Sequence, residues 1–168
     1  VYQIDPSIRN AIPTHPLKWR DLKVVNFYIN SLNSIERTGG HDSSANKIAL
    51  DYDFSNDMWQ AVADGIPLPT TRIDKNRAKT LAETIGSLEA IDWITNETNL
   101  TNAYEMLKEP LLEIVVTRRE IDRLTNSMKP VTLKLRFAKA HLGYYGQMNG
   151  SPDIFRIQDE VFGNLTAP

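Results

Sequence analysis

From Pro16 onward the apolar positions recur mostly at the spacing of a helix. Leu17, Val24, Val25, Tyr28, Ile29, Leu32 and Ile35 fall three and four apart, Pro16 suits a first helical position, and Gly39 and Gly40 close the pattern. A shorter helix is expected after Ser43 or Ser44. Ser55 can cap another that carries Met58, Trp59 and Val62 and stops at Gly65. Pro67 and Pro69 then force an extended connection through Thr71. Asp74 caps a long helix whose stripe is Ala78, Leu81, Ala82, Ile85, Leu88 and Ile91, ending near Asn96. Asn102 with Glu105 forms a capping box, and Pro110 opens a helix with Leu111, Ile114, Ile121, Leu124 and Met128 as its buried edge.

Two stretches fit either period. Leu111 to Thr117 is rich in β-branched residues, and Val131, Leu133, Leu135 and Phe137 alternate with Thr132, Lys134 and Arg136 as in a strand. The same letters place Val131, Leu135, Ala138, Leu142 and Tyr145 on one helical face. The pattern outlasts the usual strand limit of about ten residues, which favours the helix and keeps a short β segment as the alternative.

The expected fold is therefore mainly α. It has a helical-bundle core of about five helices over residues 16–148, flanked by extended arms at 1–15 and 149–168 that are rich in Pro, Gly and polar residues. The length of 168 residues suits one domain with a proper core, and 41% apolar with 24% charged residues is ordinary for a globular chain. No apolar run reaches the roughly 18 residues of a membrane span and no leader pattern stands at the front, so the reading is a soluble protein without a membrane partner. The chain has no cysteine, which excludes disulfides and thiolate chemistry and agrees with a cytoplasmic, reducing location or with a particle that must survive outside one.

Candidate chemistry is sparse. Asp51, Asp53, Ser55 and Asp57 have the opening spacing of a calcium loop, but the sixth and twelfth places hold Asn56 and Val62 where Gly and a bidentate Glu are needed. His41, Asp42 and Ser43 are sequence neighbours and so cannot form a hydrolase relay. His15 and His141 have no second ligand at a metal-binding interval, and no glycine loop carries the Lys and hydroxyl of a phosphate cradle. The expectation is a protein with no enzymatic activity, metal or cofactor.

Charge is the sharper signal. Arg118, Arg119, Arg123, Lys129, Lys134, Arg136 and Lys139 share a stretch with only Glu120 and Asp122, a balance of +5 in a chain of net charge −2. Residues 1–117 carry 11 cations against 16 acids, or −5. Arginine forks suit phosphate, and Tyr144 and Tyr145 follow as stacking surfaces for unpaired bases, so these seven residues are the candidate nucleic-acid-binding set. The competing reading is a charged face that pairs with acids of the same or a neighbouring molecule.

Trp19 and Asp21 at the first core helix, the Pro-bracketed run from Ile66 to Arg72, the helical layout, the lack of cysteine and the polar arms together resemble coat proteins of rod-shaped or filamentous plant viruses. That resemblance implies an assembly subunit that self-associates through its arms, contacts single-stranded RNA through its basic surface, and resides in a virion or host cytoplasm. The alternative function is an adaptor or protein-interaction module without nucleic-acid binding.

Overall fold

The computed structural model describes residues 15–40, 47–122 and 124–166. The chain forms a large antiparallel sheet, not a helical bundle. Its strands are β1 Leu32–Gly39, β2 Lys47–Asp53, β3 Met58–Ala63, β4 Ile66–Leu68, β5 Asp92–Trp93, β6 Leu112–Ile121, β7 Met128–Lys139, β8 Tyr144–Met148 and β9 Ile154–Ile157. They lie in the order β4-β3-β2-β1-β6-β7-β8-β9-β5. The α-helices among the described residues are α1 Lys75–Gly86, α2 Glu97–Met106 and α3 Asp159–Thr166.

The mainly α expectation fails first at Pro16 to Ile35. Helical structure there is limited to 3-10 turns at Pro16–Trp19 and Ile29–Ser31. The intervening chain runs extended, and its amides bond elsewhere: Val24 N–H to Leu88 O at 2.9 Å and Phe27 N–H to Gly86 O at 2.9 Å. Leu32 and Ile35, both fully buried, belong to β1. The residues around Ser55 form the turn between β2 and β3, where Asp53 Oδ1 accepts from the amides of Ser55 at 2.9 Å and Asn56 at 3.3 Å. That turn puts the acids once compared with a calcium loop to a local structural use. Residues 41–46, which include His41, Asp42, Ser43 and Ser44, lie outside the described residues, as do 1–14 of the N-terminal arm.

Helix α1 begins where the sequence predicts, with Asp74 accepting from the amides of Asn76 and Arg77. It ends at Gly86, ten residues short of Asn96, because Leu88 and Glu89 turn back to bridge with Val24 and Lys23. Asn96 then caps α2, and Pro110 stands in the turn before β6 in place of opening a helix. The expected extended C-terminal arm instead contributes β9 and α3 to the core, through Phe155, Ile157, Phe162 and Leu165.

Strand alternation sorts the core into two layers. On one face Ile35, Ile114, Leu135, Phe137 and Phe155 pack beneath α1 and α3, with Tyr144 stacked on Phe162 at 3.5 Å between ring centres. On the other, Ala138, Tyr145 and Ile154 pack under α2 with Ala103 and Leu107. Both sheet edges are blunt: β4 has three residues including Pro67, and β5 has two. Short, proline-bearing edges resist further strand pairing.

Candidate functional site

The basic stretch folds as the β6–β7 hairpin, the longest feature of the sheet. Ten rungs run from Leu112↔Phe137 to Ile121↔Met128. Flanking support stops earlier, since β1 reaches only to Arg118 and β8 only to Leu135. The final rungs, Arg119↔Pro130, Glu120↔Lys129 and Ile121↔Met128, are therefore paired only with one another.

Alternation divides the cations between faces. Arg118, Lys129 and Lys139 project on the side of α1 and α3, and Arg119, Lys134 and Arg136 on the opposite side. Arg123 lies outside the described residues. The six others each have a partner. Arg118 pairs with Glu120, Lys129 with Asp122 at 3.2 Å, Lys134 with Glu113 at 2.8 Å and Lys139 with Asp159 at 3.0 Å. Arg136 Nη2 donates to Gln147 Oε1 at 2.6 Å, and Arg119 Nη2 donates to Asn30 O at 3.3 Å while its Nε is buried without a partner. The tyrosines are similarly engaged: Tyr144 is buried against Phe162 and carries Lys139 Nζ over its ring at 4.2 Å, and Tyr145 packs by α2. The structure thus brings the stretch together along one hairpin but does not gather it into one open cationic surface.

Three large apolar side chains stand open at the tip beside the polar Thr125, Asn126 and Ser127. Ile121 is 59% exposed, Met128 65% and Leu124 96%. Periodicity places all three on the buried edge of a helix; the turn between two strands instead carries them into solvent. Asp122 and Asn126, four residues apart in an otherwise alternating run, are the turn formers that could have signalled this.

Asp122 organises that tip. Its carboxylate accepts from the amides of Leu124 at 2.9 Å and Thr125 at 3.4 Å and from Lys129 Nζ, while its backbone N–H donates to Ser127 O and its carbonyl accepts from Asn126 N–H, each at 2.8 Å. Asn126 takes a φ of 52°, a region asparagine tolerates well. The Leu124 amide, then Lys129, holds the Asp122 carboxyl below its ordinary value of 3.8. A depressed carboxylate stabilises the tip above its unfolded pKa and loses that contribution as pH falls through its folded one. The Leu124 amide proton resonance should therefore titrate with a midpoint below 3.8; a midpoint at or above it would show the contact absent.

Among the described residues, no group of three or more His, Asp or Glu side chains could hold a metal ion, and no helix is long and apolar enough to cross a membrane. Compared with protein-family models, curated proteins and solved structures, the chain matches none.

Proposed function

We propose that this chain is an assembly module that associates with further copies of itself through the β6–β7 hairpin. The observation that carries the reading is the tip: Ile121 and Met128 on a rung that no neighbouring strand supports among the described residues, and Leu124 in the turn beyond it, all three exposed. Burying one such side chain is worth about 1.5–3 kcal/mol, an incentive that a monomer leaves unused. Because the edges β4 and β5 are blunt, association uses the hairpin and not sheet extension.

Nucleic acid is the less favoured partner. Each described cation of the stretch already holds an internal acceptor, and a phosphate would have to displace it.

Sedimentation equilibrium of the purified chain tests the proposal. The average mass should rise with concentration, and Leu124→Glu with Met128→Glu should weaken association roughly ten- to a hundredfold. Thermal stability should change little, since these positions are exposed. A wild-type protein that stays monomeric into the millimolar range would overturn the reading. Tight low-salt binding of labelled single-stranded RNA, lost on changing Arg118, Arg119 and Arg136 to Gln, would replace it.

A further inference from the structure

Helix α1 does not close completely on the sheet. Between its first two turns and strands β1, β2 and β3 lies a cavity of about 310 Å³, at the lower end of volumes that hold small ligands. Its walls are aliphatic, formed by Ile35, Leu50, Ala61, Leu68 and Leu81 among others. Ala61 lies in register between Leu50 and Leu68 on the neighbouring strands and presents only a methyl group to the cavity.

Among the described residues, the charged ones that line the cavity are Asp74, Arg37, Arg72 and Arg77. Asp74 is occupied: its carboxylate caps α1 and meets Arg77 Nε at 3.5 Å. Arg37 reaches in from β1 and donates from Nη1 to Thr166 O at 2.9 Å. Arg72, in the 3-10 turn Thr70–Arg72, makes no side-chain hydrogen bond or ion pair among the described residues. Arg72 thus adds a cation to the lining of an aliphatic interior.

We infer that this cavity binds an amphipathic monoanion, an aliphatic chain ending in a carboxylate, with the chain between α1 and the sheet and the head at Arg72. The aliphatic walls supply affinity without polar discrimination along the chain. The head supplies orientation, because a planar guanidinium offers two parallel donors that match a carboxylate. An inorganic anion alone would find the arginines but leave the apolar volume empty. A neutral chain would fill the volume and leave Arg72 without a charged partner.

Calorimetric titration of the full chain with decanoate, decanol, decyltrimethylammonium and acetate, each below its micellar concentration, separates these contributions. Decanoate should bind saturably at one site, acetate should show no binding, and decanol should bind about tenfold or more weakly than decanoate, as expected for loss of a charge-assisted hydrogen bond. Arg72→Gln should weaken decanoate about tenfold and leave decanol unchanged. Ala61→Phe should fill the cavity and abolish binding of both. Should that variant fail to fold, Arg72→Gln with the ligand series decides by itself, since Arg72 is exposed. Absence of saturable decanoate binding, equal affinity for decyltrimethylammonium, or equal losses of decanoate and decanol in Arg72→Gln would each overturn the assignment.

Discussion

Replacing Phe137 with alanine is expected to destabilise the chain by about 3–5 kcal/mol, the range for removing a fully buried phenylalanine. Phe137 is wholly inaccessible at the centre of the sheet, opposite Leu112 on β6 and Gly146 on β8. Its ring meets Phe155 edge-on at 6.2 Å and Phe162 at 6.3 Å, so it joins β9 and α3 to the main sheet. Neighbours cannot readily collapse into the vacancy. The Phe155 ring already lies over Gly146, where an added Cβ would come within 2.3 Å of it. The loss thus combines transfer of the ring with a retained cavity and two broken aromatic contacts. The melting temperature should drop by roughly 6–20 °C for a domain of this size. Urea denaturation should show a lower midpoint at an unchanged slope. A loss under about 1 kcal/mol would be incompatible with this packing.

Gly143→Ala should be nearly as damaging, and for a different reason. Gly143 sits in the turn between β7 and β8 at a φ of +77°, and a Cβ there would lie 2.2 Å from the carbonyl oxygen of Ile157 on β9. Backbone cannot swing aside as a flexible side chain can, so β8 and β9 would have to part at the Tyr144↔Ile157 rung. Left-handed backbone costs a non-glycine residue about 1–2 kcal/mol, and overpacking adds a further 1–3 kcal/mol. Gly150 supplies the control. It has the same φ of +77° but nothing within 4 Å of an added Cβ, so Gly150→Ala should show the conformational cost alone. The change in the unfolded chain is the same in both variants and cancels in the comparison. Chemical denaturation of the pair measures the steric contribution directly. Equal losses would mean that Gly143 does not approach β9 as described.

Much of the local structure was legible from the letters. Asp74 announced the start of α1, and Ala78, Leu81, Ala82 and Ile85 announced its buried stripe. A cap and a stripe are properties of one contiguous segment, and such signals survive without knowledge of the rest of the chain. The β-branched run at Leu111 to Thr117 and the alternation at Val131 to Phe137 were equally visible, though a helical spacing competed with them. The helical reading failed there because Leu112, Ile114, Val116, Leu135 and Phe137 all bury on one face only when the chain is extended.

The candidate site was half readable. Sequence identified the cations of the stretch, but it could not show that Lys134 would meet Glu113 and Lys139 would meet Asp159, or that Ile121, Leu124 and Met128 would emerge at a turn.

By itself, then, the sequence determined the capped helix α1, the absence of disulfides, and the opposed charge of the hairpin and the residues before it. Tertiary structure alone decided that the chain would be a sheet. Leu32 pairs with Arg118 and Asp92 with Arg156, partners that no local window contains. A helix satisfies its backbone within its own segment, whereas a strand satisfies it only through a neighbour supplied by the whole fold. For that reason Pro16 to Ile35, helical by spacing, became extended chain leading into β1 once α1 and β6 offered it backbone and apolar surface.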